Sequence, residues 1–484
     1  MNDARKYDLI IVGSGAGGAA AAYHLTQSGA HVLLLEKGER LPQDGSTLDP
    51  ARVMRRGEFL AREPWLDRTG AEVFPEEHFN LGGKTKWYGA ALIRFAPEEF
   101  HADPASGYLP WPVGYDELAP FYTEAERLLG VRAFTAEPDI TRIADGLRQC
   151  DPNWRSEGLK LGLAQNILSF PEEYRHYDGF ASVRGLKSDA ESSLLARLAG
   201  QPNLDIRTGQ PVVELLPNGG VGRIAGVLCA DGSRYYADAV ILAAGALHSP
   251  RLLAAYLRQN GLNSKLPGAH LVGRYYKSHL LTAMIALSLQ PVRDQLGKTL
   301  LLTHRQMPRS SVQTLGGSLA ADIMAQQLPG FVPGLLKRAI ASRAQGFFLQ
   351  TEDVSHADNR VWVDDRGHSH LDYDPARSAA AWTEHRRLVA TLRGQLLRQG
   401  YVAFAQDIGV TGTAHACGTL VAGRSAESSV VSPEGLVWGL DNLYVADGSI
   451  LPRSSRVNPA LTIYAWGLRV ASLIAGRREL RHVA

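Results

Sequence analysis

Residues 6–36, KYDLIIVGSGAGGAAAAYHLTQSGAHVLLLE, decide the fold. Tyr7 to Val12 is apolar, β-branched and closed by glycine, the pattern of a short buried strand. Gly13, Gly15 and Gly18 follow in G-x-G-x-x-G spacing, then an alanine-rich helix and a second strand, HVLLLE, ending at Glu36. In such a unit the first glycine makes the tight turn, the second lets backbone approach a pyrophosphate, and the third lets helix pack on strand. The helix N-terminus presents unpaired N–H groups and a positive dipole end to the phosphates. Glu36, eighteen residues past Gly18, is placed to bond ribose hydroxyls. The order strand, glycines, helix, strand, acid predicts a dinucleotide site, with NAD and FAD both open at this point.

Working outward, Asn80 to Ala91 (NLGGKTKWYGAA) is a second glycine turn. Asp238 to Leu253 (DAVILAAGALHSPRLL) is a buried strand ending in AAG, followed by a helix that opens at Ser249 and Pro250. Before it, NLDIRTGQPVVELL and GVLCADGSRYYAD read as a short β meander. Near the C-terminus, NLYVADGSILP is a strand followed by an Asp447–Gly448 loop, and NPALTIYAWGLRVASLIAG has helical apolar spacing. A nicotinamide domain needs no second strand–glycine unit some 230 residues downstream. FAD, which stretches from adenine to isoalloxazine across a discontinuous site, does.

The 484 residues predict two or three domains with an ample core. A formal net charge of +2, from 51 Lys plus Arg against 49 Asp plus Glu, excludes a polyanion-binding specialist. Cys150, Cys229 and Cys417 are too few and too scattered for a disulfide framework, which points to a reducing compartment. The N-terminus lacks a signal-peptide pattern and no run of about 18 apolar residues occurs, so the expectation is a soluble, cytoplasmic protein with no membrane contact.

Five blocks together resemble the glucose–methanol–choline (GMC) oxidoreductases, FAD enzymes that oxidise alcohols. They are the N-terminal loop, GGKTKWYG, WPVGYDELAPFYTEAERLLGV (111–131), AAGALHSPRLL, and HACGT through NLYVADGSILPRSSRVNPALTI. The resemblance covers the cofactor-binding parts well and residues 280–400 poorly. It implies an α/β fold: a discontinuous Rossmann-like FAD domain over 1–100, 185–280 and 405–484, with a parallel, doubly wound sheet. It further implies a connecting region over 101–184 and an α+β substrate domain with an antiparallel sheet over 281–404.

The resemblance also lends roles. His415 falls where the family places its base, and Asn458 where that base has its partner. Imidazole, with an ordinary pKa near ~6.5, can take a hydroxyl proton around neutral pH while hydride leaves the same carbon for the flavin. An amide can donate to the forming alkoxide. Asn458 alone also suits a helix cap. Gly83 and Thr85 are expected at the pyrophosphate, Trp87 beside the flavin or in ordinary core packing, and Val212 against adenine. Ala244 and Gly245 are expected near the adenosine ribose, Asp447 and Gly448 at the ribityl–pyrophosphate segment, and Pro459 among the cofactor-binding residues. Trp87 stands where some relatives carry a flavin-linking histidine, so FAD is expected to be non-covalent.

The implied reaction is oxidation of CH–OH to a carbonyl on a sugar or glycoside. The alternatives are a hydrophobic alcohol or sterol, the catalytic subunit of an electron-transfer complex, and non-redox lyase chemistry. Oxygen, a quinone or a redox protein would accept the electrons.

Other features read as follows. Lys84 and Lys86 are exposed. Asp364, Asp365, His368 and His370 form a solvated hairpin tip with no metal. Glu352 lines the substrate cavity, and Cys417 fills space. Residues 329–348, basic and amphipathic, are a packed helix, a lid, or a surface that meets a membrane or an acceptor protein.

Overall fold

The computed structural model describes residues 6–219 and 222–483. Its first unit is β1 (Lys6–Val12), α1 (Ala16–Gln27) and β2 (Val32–Leu35). β1 and β2 pair in parallel, Leu9 to Val32 through Val12 to Leu35. Leu33, Leu34, Ile10 and Ile11 are fully buried, as strands covered on both faces must be.

The parallel ladder continues on both sides. Leu204–Arg207 joins the outer edge of β2, Arg234–Leu242 joins β1, and Leu443–Val445 joins Arg234–Leu242. Ile224–Cys229 and Val212–Pro217 then extend the sheet in antiparallel fashion to seven strands. Two expectations are corrected here. The sheet is mixed rather than wholly parallel, because the meander is hydrogen-bonded directly to the lower half of Arg234–Leu242. Residues 204–207, read with that meander, lie instead at the opposite edge beside β2. Only half-buried, they look like hairpin residues in sequence.

Helix α1 lies between this sheet and the C-terminal helix Ala460–Val483, so both of its sides are buried. That explains its alanines: Ala19 to Ala22 are fully buried and leave no room for larger side chains. At the crossing, a Cβ on Gly17 would overlap the Ala446 carbonyl, and one on Gly467 would lie 2.6 Å from the Gly17 carbonyl oxygen.

A second, antiparallel sheet has six strands. In order they are Val402–Ile408, Leu280–Leu287, Ala344–Thr351, Met307–Thr314, Leu300–His304 and Trp154–Gly158. The last strand comes from the stretch read as connecting; Trp154 anchors it by donating its indole N–H to Gln395 at 2.6 Å. One face of the sheet carries Met284, Phe347 and Leu349 and packs on the helices Pro138–Cys150 and Ala379–Arg398. The opposite face carries Leu281, Ala283 and Phe348 and turns toward the cavity described below.

Several sequence readings change in three dimensions. Lys86 is buried, paired with Asp189 at 3.2 Å and Glu191 at 2.9 Å, not exposed. Glu352 does not face the cavity: it is fully buried and forks onto Arg453 at 2.7 and 2.6 Å. Residues 360–372 do form a hairpin, with Asp364 bonded to His368 at 3.0 Å and to His370 at 3.2 Å. Within 329–348, Gly334–Ala341 is helical, and Phe331, Leu335 and Leu336 project from the surface. No helix among the described residues is long and apolar enough to cross a membrane.

The crossing at Gly17 gives a direct stability test. Gly17→Ala is expected to cost about 3 kcal/mol or more, because the obstacle is backbone and cannot rotate away. Thermal or denaturant melting should show the loss, whereas Gly29→Ala, with nothing near its Cβ position but a positive φ of 78°, should cost about 1 kcal/mol.

Candidate functional site

One cavity of about 1620 Å³ runs from the loop after β1 to the face of the antiparallel sheet. That exceeds the ~300–1,000 Å³ of most small-molecule pockets and leaves space for a dinucleotide and a second molecule. Every site residue expected from the sequence lines it except Gly18 and the already corrected Glu352. Gly18 sits behind the loop, where a Cβ would overlap the Gly13 carbonyl, so it packs helix to strand.

The nucleotide end is built from the β1 loop. Gly13 has a φ of +102° and turns the chain against Ala243. Gly15 opens on empty space, with nothing within 4 Å of its Cβ position. It precedes α1, whose N-terminus has no side-chain cap and no acidic residue in its first turn. Unpaired N–H groups facing a cavity are what a pyrophosphate requires. The residues therefore fit a dinucleotide cofactor.

Glu36 stands at the end of β2 and is buried. Its carboxylate accepts from Ser14 N at 3.0 Å, Ser14 Oγ at 2.5 Å and Gly38 N at 3.0 Å. Burial raises its pKa against those bonds. Ser14 Oγ also accepts from Gly82 N at 2.9 Å, which joins the first glycine loop to the second. Ser14 was not singled out from the sequence, and nothing local distinguishes it from any other residue inside G-x-G.

The second loop, Gly83–Lys86, is a single 3-10 turn. Thr85 Oγ1 donates to the Gly82 carbonyl at 2.6 Å and accepts from Ala190 N at 3.0 Å, so its hydroxyl is spent within the protein. Trp87 combines both of its readings. It is buried, donates to Asn80 at 2.9 Å, and stacks on His78 at 4.6 Å, yet it lines the cavity. His78, lowered to about 4 chiefly by burial, donates through Nδ1 to the Phe59 carbonyl at 2.9 Å.

Val212 opens the strand Val212–Pro217 at the cavity wall, and Ala244 and Gly245 lie opposite. Asp447 acts as a staple. Its carboxylate accepts from Gly245 N at 2.8 Å, Ser249 Oγ at 2.5 Å and Ser449 N at 2.8 Å, while burial pushes its pKa up. The loop thus meets the cavity through its backbone, with Gly448 and Pro459 beside it.

At the far end His415 and Asn458 come together across 43 residues of sequence. Asn458 Nδ2 donates to His415 Nε2 at 3.3 Å, and Gln313 Nε2 donates to Asn458 Oδ1 at 2.5 Å. His279 stacks edge-on at 4.7 Å and bonds the Ser455 carbonyl through Nε2 at 2.8 Å. His415 Nδ1 is buried without a partner among the described residues. Burial, with His279, Lys298 and Lys84 adding positive potential, holds the His415 imidazole well below its ordinary value. Burial lowers His279 as well, to about 4.

Two charged pairs also border the cavity. Lys84 pairs with Glu77 at 2.8 Å and donates to the Thr413 carbonyl at 3.0 Å, tying the glycine turn to the loop that carries His415. Burial alone would raise Glu77, but Lys84 and His248 outweigh it and hold the carboxyl below its usual range. Lys298 pairs with Asp178 at 2.9 Å.

A family profile described as FAD dependent oxidoreductase matches residues 8–303, and one described as GMC oxidoreductase matches 354–467. The chain is similar to paromamine 6'-oxidase of Streptomyces fradiae, 31% identical over 100% of this chain and 94% of that one. It is also similar to 6'''-hydroxyparomomycin C oxidase of Streptomyces lividus, 30% identical over 97% of this chain and 92% of that one. The fold matches the crystal structure of pyridoxine 4-oxidase from Mesorbium loti at a TM-score of 0.70 and 19% identity, over 96% of this chain and 99% of that one.

The open space at Gly15 gives a test of the nucleotide end. Gly15→Ala should leave thermal stability of the cofactor-free protein within about 1 kcal/mol, since its φ of −64° suits any residue. Dinucleotide affinity, measured by titration of the stripped protein, should fall at least about tenfold as the methyl meets the phosphates.

Proposed function

The chain belongs to the GMC oxidoreductase family, and on that premise we propose that it oxidises a hydroxyl of a sugar or glycoside to a carbonyl, with His415 as base and Asn458 as its partner. The observation that carries this reading is the His415–Asn458 pair, 3.3 Å apart, on the wall of a cavity whose other end is a dinucleotide cradle. FAD, when bound, supplies the hydride acceptor. The two Streptomyces relatives, named as oxidases of paromamine and hydroxyparomomycin C, favour a glycoside over an apolar alcohol.

The protein's own residues then divide the work. His415 is neutral at physiological pH, because burial and nearby positive groups disfavour its charged form. With Nδ1 enclosed, Nε2 is the nitrogen that takes the hydroxyl proton, the substrate hydroxyl replacing the Asn458 N–H on its one lone pair. The Asn458 amide, held by Gln313, donates to the same oxygen as negative charge develops. Gly13, Gly15, Gly83, Ala244, Gly245 and Gly448 hold the nucleotide through backbone, and Glu36 meets the ribose. Trp87 faces the flavin with its ring fixed by Asn80 and His78. We divide the chain into a cofactor-binding part over 1–100, 185–280 and 405–484, and a substrate part over 281–404. The seven-stranded sheet supports the first part; the six-stranded sheet centres on the second but adds Trp154–Gly158 from the connecting stretch and runs on to Ile408.

Two measurements test this. His415→Ala should slow anaerobic flavin bleaching by a glycoside about 10²- to 10⁴-fold, the usual worth of a general base; near-native reduction would overturn the assignment. In the native enzyme the acid limb of that rate should lie well below pH 6.5: a depressed pKa keeps the base unprotonated as pH falls, so activity is lost only at the lower value.

FAD is held without a covalent bond, a reading supported by Trp87 in the loop position where a linking histidine would stand. Acid precipitation is expected to leave the yellow colour in the supernatant. Colour retained by the protein would point instead to His78, the histidine stacked on Trp87.

A further inference from the structure

Beyond the positive potential that Lys298 adds at His415, the Asp178–Lys298 pair has no part in the chemistry above, and its surroundings do not suit a purely structural bridge. Asp178 lies after the short helix Pro171–Arg175, and Lys298 just before the strand Leu300–His304. Both residues are at most 6% exposed, yet both line the cavity. Lys298 Nζ donates to Asp178 Oδ2 at 2.9 Å, and Gly316 N donates to that same oxygen at 2.7 Å. Asp178 Oδ1 accepts no hydrogen bond from the described residues, and the Lys298 ammonium has only the one acceptor for its three protons. A buried ion pair repays its desolvation only when such remaining valences are met. Here they are left to whatever fills the cavity.

Access to them depends on one missing side chain. Gly89, two residues after Trp87, has an ordinary negative φ, so the backbone does not require glycine. A Cβ there would overlap both Asp178 Oδ1 and Lys298 Nζ. The absence of a side chain at 89 thus leaves the room in which both charged ends sit at the cavity wall. Lys298 is also near enough to His415 to disfavour its protonation. The cavity is lined also by the apolar Leu281, Ala283, Leu315 and Phe348, with the Phe348 ring edge-on to His415 at 6.3 Å.

We propose that Asp178 and Lys298 form the subsite that reads neighbouring hydroxyls of the substrate ring, Lys298 Nζ donating to one oxygen and Asp178 Oδ1 accepting from the next, while the C–H face of the ring lies on the apolar wall. A donor and an acceptor side by side match a vicinal diol, which presents both, and have no use for a hydrocarbon ring. The substrate class is therefore a polyhydroxylated ring rather than a sterol or a simple alicyclic alcohol. This rests on the alcohol-oxidation reading for the direction the substrate faces, and the experiment separates the two.

Binding is read in FAD-loaded His415→Ala enzyme, where slowed turnover leaves an equilibrium Kd measurable from the flavin spectrum. Reduction is read separately, anaerobically, with His415 intact. The probes are methyl glucopyranoside and cyclohexylmethanol, two rings with the same hydroxymethyl group, of which only the first carries ring hydroxyls. The glucoside is expected to bind at least about tenfold more tightly than cyclohexylmethanol. Asp178→Asn and Lys298→Met should each weaken the glucoside about tenfold and leave cyclohexylmethanol within about twofold. Gly89→Ala, which keeps both charged groups but pushes them from the positions they hold, should reproduce that selective loss. Flavin content near one per chain confirms that each variant is folded. Equal binding of the two probes, undetectable binding of the glucoside, or equal losses for both probes in the variants would overturn the subsite. Selective binding without reduction by either probe would uphold the subsite and sink the oxidation reading instead.

Discussion

The structure depends on how closely two helices and a loop can approach one another at Gly17. Helix α1 passes under the Ala446 carbonyl and against Gly467 of the C-terminal helix, at separations that exclude a side chain on either glycine. Because of that contact, the start of the chain and its end form one wall. The loop of Gly13 and Gly15, the Asp447–Gly448 turn and the Asn458–Pro459 segment all border the same cavity as a result. Such packing is dispersion between small, close-fitting surfaces; it has no slack to absorb a methyl group.

Polar staples then set the loops relative to one another. Ser14 bonds Glu36 and Gly82 together, Asp447 holds Gly245 and Ser249, and Lys84 ties Glu77 to Thr413. Each joins segments far apart in sequence and each meets the demand that buried polar groups be bonded. The cost of an unmet buried group, about 1–3 kcal/mol, makes these links act as position markers as much as sources of stability.

The same burial governs the chemistry. His415, enclosed and surrounded by His279, Lys298 and Lys84, is held neutral, and the Asn458 amide beside it adds a donor that does not titrate. In the same cavity, the Asp178–Lys298 pair keeps an unbonded oxygen and spare ammonium protons. A fully hydrophobic wall would have been cheaper to bury, so these valences mark where a polar ligand completes the structure.

The sequence by itself determined the β1–α1–β2 unit, because apolar runs, glycine spacing and strand-end acidity are properties of residues close together along the chain. It also put His415 and Asn458 in view, through a resemblance spread over five blocks. It misplaced Lys86, Glu352 and residues 204–207. The first two find their partners 103 and 101 residues away, and an edge strand only half-buried carries the same pattern as a hairpin strand. Only the tertiary structure decided that Trp87 both packs and faces the cavity, that Asp447 is a staple, and that Asp178 meets Lys298 beneath Gly89. Burial and charge at those sites are set by segments that fold together from far apart, and no local spacing encodes them.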